Sequence, residues 1–169
     1  ALENFVFPEI STYLISKYAG EDFIEKTHLS GAILGCTSIV TKGFATNTGE
    51  LFHARNFDFS AVDYWYKHPT IFYVYPEDAF NYISVASAGM LGVVSGINEK
   101  QISFALHENY TNINNENNLP VFALGTLILK YSDSLEKAQE IINSSKATSG
   151  WSITISDNNE ESSNMNNRN

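Results

Sequence analysis

An α+β fold, with neighbouring antiparallel strands and two helices beyond them in the chain, is predicted by three features of this chain. Between residues 38 and 106, short runs rich in β-branched and aromatic residues succeed one another, separated by turn-forming residues. After Pro120 the apolar spacing becomes helical. Trp151–Ser156 then returns to strict alternation of apolar and polar residues, the pattern of a half-buried strand. With 169 residues, 43% hydrophobic and 13% aromatic, the chain can bury one sizeable core.

The elements follow in order. Ile10, Tyr13, Leu14, Tyr18, Phe23 and Ile24 recur mostly every three or four positions, which predicts an amphipathic helix over 9–27, or two broken near Gly20. The strand runs are Ser38–Thr41, Leu51–Phe59, Thr70–Tyr75, Tyr82–Ser87, Leu91–Val94 and Gln101–Leu106. Asn47-Thr48-Gly49, Pro76-Glu77-Asp78 and Gly96-Ile97-Asn98 supply turns among them. Pro120 opens an apolar helix reaching Lys130, and Asp133 with Glu136 three positions later reads as a capping box for a helix over Leu135–Asn143. Residues 112–118 are polar and read as an exposed loop. The end, 158–169, is dominated by Asn, Ser and Glu; it buries too little apolar surface to offset ordering entropy and is expected to be a flexible tail or loop.

Charge excludes several function classes. Nineteen acidic residues against ten basic ones, a net charge of −9, offer little to neutralise nucleic-acid phosphates or an anionic membrane surface. A single cysteine cannot form an internal disulfide. No apolar run approaches the roughly 20 residues of a spanning helix, and Ala1-Leu2-Glu3-Asn4 lacks a signal-peptide layout. The expectation is a soluble chain, in an exported or lysosome-like compartment if a leader was removed. No His/Asp/Glu spacing suggests a metal site, so neither metal nor cofactor is expected.

The chemistry centres on Cys36. A lone cysteine is more often a small buried hydrophobe than a nucleophile, and no Cys-His-Asn signature surrounds this one. Its neighbours offer another route. Gly35 lacks a Cβ, can take strained backbone angles, and would let the thiol reach its carbonyl for an N-to-S acyl shift. Cleavage there would give Cys36 its own α-amino group as a base. The cluster His53-Ala54-Arg55-Asn56-Phe57-Asp58 follows on the next strand and brings a cation and an anion.

Gly35, Cys36-Thr37-Ser38-Ile39-Val40 and Gly49-Glu50-Leu51-Phe52-His53-Ala54-Arg55-Asn56-Phe57-Asp58 together resemble the mature N-terminus of the cysteine-type N-terminal nucleophile hydrolases. That superfamily includes choloylglycine hydrolases, acid ceramidase, N-acylethanolamine acid amidase and the penicillin acyltransferase group. Cys-Thr-Ser-Ile-Val is most similar to the ceramidase and amidase branch, whereas Ala88-Gly89-Met90-Leu91-Gly92-Val93-Val94 with Gly96-Ile97-Asn98 is more similar to the acyltransferases. The likeness runs from about Gly35 to Asp157. It implies an αββα sandwich of antiparallel sheets with outer helices, of which this chain holds the N-terminal part. It also divides the chain into a helical lead segment, 1–35, a body, 36–157, and the polar tail.

The resemblance makes Cys36 the nucleophile, its liberated amine the proton shuttle, and Arg55 and Asp58 the groups that hold them. In an extended strand, positions 55 and 58 face opposite sides, so both can reach the thiol only through a bulge or bend. His107-Glu108-Asn109 occupies the place where relatives carry oxyanion and substrate contacts, and each of the three is a candidate for such a role. His53 and His68 read as structural. Phe57, Phe59, Tyr64, Trp65 and Tyr66 are candidates for an acyl pocket, although core packing explains most aromatics. The implied reaction is hydrolysis of a linear, non-peptide N-acyl amide through a thioester. Acyl transfer to an amine is the close alternative, and a non-catalytic domain that keeps the fold is the alternative of another class. The implied partners are a small N-acyl amide and a further C-terminal part of the enzyme, with no nucleic acid and no membrane span.

Overall fold

The structure, a computed structural model, describes residues 36–57, 67–108, 115, 117–158 and 163–166, with main chain alone at Glu108 and 163–166. The helix expected over 9–27 lies outside the described residues. Ten elements follow in chain order: β1 (Thr37–Gly43), β2 (Gly49–Asn56), β3 (Pro69–Val74), β4 (Tyr82–Ser87), β5 (Ser95–Asn98), β6 (Ile102–Glu108), α1 (Val121–Tyr131), α2 (Leu135–Ser144), β7 (Trp151–Asp157) and β8 (Ser163–Asn166). β1 and β2 form an antiparallel hairpin. The other six strands make one sheet in the order β3-β4-β5-β6-β7-β8, antiparallel throughout. The architecture is the expected α+β class.

Strand alternation divides this sheet into two faces. On one, Ile102, Phe104 and Leu106 of β6 and Ile153 and Ile155 of β7 join Phe122, Leu124, Ile128 and Leu129 of α1 and Ala138 and Ile142 of α2 in a single core, all nearly inaccessible to solvent. Phe122 meets Trp151 edge-to-face, their centroids 5.7 Å apart. The hairpin lies against the other face, tied to it by side chains described below. Among the described residues no helix is long and apolar enough to cross a membrane.

Five details differ from the sequence expectation. Leu91–Val94 is not a strand, and Gly96-Ile97-Asn98, expected as a turn, lies within β5. The cause is close packing on α1. Gly92 takes φ +92° with its Cα against the Phe122 backbone, and the Val93 N–H donates to the Phe122 carbonyl at 2.9 Å instead of entering a ladder. Gly96 passes so near the Ile83 carbonyl and Leu129 that a Cβ would sit 2.5 and 2.6 Å from them. The turn moves to Glu99–Gln101, where Gln101 has φ +64°. Buried Asn98 holds the junction: its amide donates to the Leu129 and Ser132 carbonyls at 3.0 and 2.7 Å, and its oxygen accepts from the Lys100 and Ile102 N–H groups, both at 3.0 Å.

The cap of α2 is Ser134 rather than Asp133. Its extended backbone aims the hydroxyl at the Lys137 N–H, 3.2 Å away, and Glu136 falls in the first turn near the positive helix end. β2 ends at Asn56, short of the expected Phe59; Asp58 and Phe59 lie outside the described residues. Within the stretch expected to be a polar tail, Ser163–Asn166 pairs with β7 in the register Ile155↔Ser163 to Ser152↔Asn166. Ladder bonds run between main chains, so an edge strand forms there from residues with little apolar surface.

Candidate active site

The hairpin register pairs Ser38 with Arg55 and Val40 with His53. Period-two alternation turns these four toward the large sheet, while Ile39, Phe52 and Ala54 face solvent, Ile39 at 60% exposure. Cys36 stands one residue before β1 and is half-buried. The Thr37 N–H donates to the Asn56 side-chain oxygen at 3.1 Å, closing the hairpin beside it.

Arg55 crosses from β2 to the large sheet. Its Nη1 donates to the Val94 carbonyl at 3.2 Å and to Ser95 Oγ, and its Nη2 donates to the Leu106 carbonyl. The same Nη2 lies 3.6 Å from Cys36 Sγ. The Phe57 ring packs against the guanidinium, 4.3 Å from centroid to Cζ. A planar fork with five donors can serve this many acceptors at once, which an ammonium cannot. The positive charge is thus fixed beside the sulfur by the Val94 and Leu106 carbonyls and the Ser95 hydroxyl.

Two histidines share this layer. His107 Nε2 lies 2.9 Å from Ser38 Oγ and 3.2 Å from Thr154 Oγ1. Burial and then the Arg55 charge push its pKa down, partly opposed by a hydrogen bond to the Cys36 backbone. His53 Nδ1 lies 2.7 Å from Ser103 Oγ, which in turn contacts Ser156 Oγ. Burial, then His107 and Arg55, lower its pKa as well. Two cationic rings beside a fixed guanidinium would repel one another, so the layer favours neutral imidazoles.

Of the residues singled out by sequence, the fold brings Cys36, Arg55 and His107 together. Glu108 ends β6 opposite Trp151. Gly35, Asp58 and Asn109 lie outside the described residues, as do Phe59, Tyr64, Trp65 and Tyr66. Phe57, expected near an acyl pocket, stacks on Arg55 and packs against the core. Sequence reasoning missed Ser38, Ser95 and Thr154. Thr154 was within reach of it, because alternation in Trp151–Ser156 already sets Ser152, Thr154 and Ser156 on one side of the strand.

A family model, that of acyl-coenzyme A:6-aminopenicillanic acid acyl-transferase, matches residues 44–167. The matched stretch contains Arg55 and His107 and begins eight residues after Cys36. No curated protein matches the chain. With most of its length matched and two antiparallel sheets and two helices among the described residues, the chain belongs to the acyl-coenzyme A:6-aminopenicillanic acid acyl-transferase family, within the N-terminal nucleophile superfamily that its Cys36 and Arg55 motifs resemble.

Proposed function

We propose that this chain forms the nucleophile-bearing part of a self-processing N-terminal cysteine amidohydrolase that cleaves linear N-acyl amides through a thioester on Cys36. The observation that carries this reading is the 3.6 Å approach of Arg55 Nη2 to Cys36 Sγ, made by a guanidinium already held by Val94, Ser95 and Leu106.

In self-processing, the thiol attacks the Gly35 carbonyl carbon, the Gly35–Cys36 C–N bond breaks, and the nitrogen becomes the α-amine of Cys36. Water then hydrolyses the thioester, leaving a Gly35 carboxylate and the thiol. In turnover the α-amine takes the thiol proton as sulfur attacks the substrate acyl carbon, and passes it to the departing amine. Water, deprotonated by the same α-amine, releases the acid and restores the thiol. Arg55 stabilises negative charge as it builds on sulfur. Asp58 is assigned the orientation of the α-amine, and Glu108 and Asn109 contacts to substrate or oxyanion. A further portion of the enzyme, on this chain or another, completes the site. The exposed apolar residues Ile71, Tyr73, Ile83, Val85 and Ile97, beside the hairpin on the same side of the sheet, support such a covering partner.

Acyl transfer is the second reading, favoured by the matched family, whose name describes an acyl-transferase. It differs only in the acceptor, with an amine attacking the thioester in place of water.

The test is intact mass with N-terminal sequencing of the wild-type, Cys36→Ala and Cys36→Ser chains, incubated from about pH 4.5 to 7.5, below the intrinsic α-amine pKa. A new chain beginning at Cys36, absent from the alanine variant, is the expected result. An intact chain at every pH, with Cys36 ignored by a thiol-reactive probe, overturns the enzyme reading in favour of a non-catalytic domain.

A further inference from the structure

The hairpin is a sheet of its own, and none of residues 37–56 belongs to the core or packs against it; Ile39, Phe44 and Phe52 are exposed instead. Its attachment to the large sheet runs through side chains. Arg55 reaches Val94, Ser95 and Leu106, and Lys42 donates to the Asn158 carbonyl. Two hydroxyl and imidazole pairs cross in opposite senses: Ser38 of β1 meets His107 of β6 at 2.9 Å, and His53 of β2 meets Ser103 of β6 at 2.7 Å. A unit held by a few polar contacts, with no share in the core, can part from a body that stays folded. His53 is the sensitive member. Its Nδ1 contacts Ser103 Oγ, which contacts Ser156 Oγ, so one run of bonds ties β2 through β6 to β7. Its Nε2 is sealed from solvent and has no hydrogen-bond partner among the described residues. An N–H at that atom would be a buried donor without an acceptor, so the neutral ring carries its hydrogen on Nδ1 and donates to Ser103. A second proton would have to go on Nε2, adding a charge and an unmet donor at once.

We propose that the hairpin is a proton-sensitive dock for the candidate site: neutral His53 and His107 hold it on the large sheet, and their protonation at acid pH releases it, taking Arg55 away from Val94, Ser95 and Leu106. The release does not depend on the reading of Cys36 as nucleophile; its effect on turnover rests on that reading. Among the described residues, the charged and titratable groups facing the two rings are each other and Arg55, with the Cys36 thiol beside the guanidinium. β5 holds no titratable residue, Glu50 of β2 is exposed, and Lys42 of β1 is turned to Asn158. Alternation puts Asp157 of β7 with Ile153 and Ile155 on the helix side. No carboxylate is therefore set among the described groups to offset a second or third positive charge in this layer. Both rings titrate below 6.5 when docked and at the ordinary value when released, so the released hairpin binds more protons and docking weakens as pH falls below 6.5.

Hydrogen exchange read by mass spectrometry tests this on the full Cys36→Ala chain, which self-processing does not alter. Residues 37–56 are compared with α1, β6 and β7 at about pH 7.5 and pH 5, either side of the ordinary histidine value, with rates corrected for the intrinsic effect of pH. Hairpin protection is expected to fall roughly tenfold or more at the lower pH, while the body changes by less than about threefold. His53→Gln, whose amide still donates to Ser103 but takes no proton, should shrink that fall, and His53→Gln with His107→Gln should bring it within about threefold. Equal loss across hairpin and body, an unchanged hairpin, or the same fall in the double variant each overturns the proposal. Should the glutamine variants fail to fold, ring-nitrogen NMR decides: His53 is expected as a neutral Nδ1–H ring at the higher pH that titrates in step with hairpin release, and an Nε2–H ring or a separate titration overturns the proposal. In the chain with Cys36 intact, the iodoacetamide rate should follow hairpin protection, and a rate indifferent to release overturns the link to the site. A proton-sensitive hairpin beside an inert Cys36 supports the dock and overturns the nucleophile reading alone.

Discussion

On the helix side of the large sheet, β6 and β7 present Ile102, Phe104, Leu106, Ile153 and Ile155; on the hairpin side, the same strands present Ser103, Ala105, His107, Thr154 and Ser156. The first set is sealed by α1 and α2 into a core without polar side chains among those named. The second is covered by Ser38, His53 and Arg55, whose hydroxyl, imidazole and guanidinium groups meet hydroxyls, a ring and main-chain carbonyls. A two-residue period thus lets one pair of strands bear the folding energy on one side and an array of oriented polar groups on the other. The faces should respond differently to substitution, and that difference can be broken or sharpened by experiment.

The largest contrast is at Cys36. Under the proposed function, Cys36→Ala lowers turnover by roughly 10^4-fold or more, yet it removes only a half-buried sulfur from the hairpin side and should leave the urea midpoint nearly unchanged. A large loss of stability would show that the thiol serves packing. Phe104→Ala on the opposite side should cost about 3–5 kcal/mol by urea denaturation, through lost transfer energy and the cavity left against Gly125. The alkylation rate of Cys36 in the folded fraction should stay near wild type; a tenfold change would mean the two faces are not separable.

Arg55→Lys tests the hairpin side itself. An ammonium keeps the charge but cannot serve Val94, Ser95, Leu106 and the sulfur together, so Cys36 alkylation should slow by roughly ten- to a hundredfold. Full reactivity in the lysine variant would reduce the role of Arg55 to its charge.

The smallest effect is a pH dependence of stability. His53 and His107 titrate below the ordinary value of 6.5 in the folded chain, so the unfolded chain binds more protons on acidification. Their neutral-ring contribution is complete above 6.5 and declines as pH falls through the window beneath it. Urea midpoints at about pH 7.5 and pH 5 should show this decline, and His53→Gln should reduce it. An unchanged slope in that variant would place the linkage elsewhere.

Local pattern was enough to read much of the fold. Tyr82–Ser87 is the run that its strand-rich composition predicts, β7 follows from the alternation of Trp151–Ser156, and Pro120 and the Asp133–Glu136 pattern announce α1 and α2 to within a residue or so. The misreading of Leu91–Asn98 is instructive. Val93-Val94 has strand composition and Gly96-Ile97-Asn98 has turn composition, but Gly92 and Gly96 are there because Phe122, Leu129 and the Ile83 carbonyl leave no room for a Cβ. Composition cannot distinguish a glycine needed for a turn from one needed for close approach.

The candidate site divides in the same way. Cys36 and Arg55 could be named from the chain because their residue types and spacing resemble a known motif, and alternation within β2 puts His53 and Arg55 on one side of that strand. Sequence by itself therefore determined the fold class, the strand faces and the identity of the thiol and its cation. Only the tertiary structure decided that Val94, Ser95 and Leu106 orient the guanidinium and that His107 reaches both Ser38 and Thr154. These contacts join residues far apart in the chain, across strands whose register is set by the pairing of whole elements, and no local period encodes which hydroxyl or carbonyl will stand opposite a given side chain.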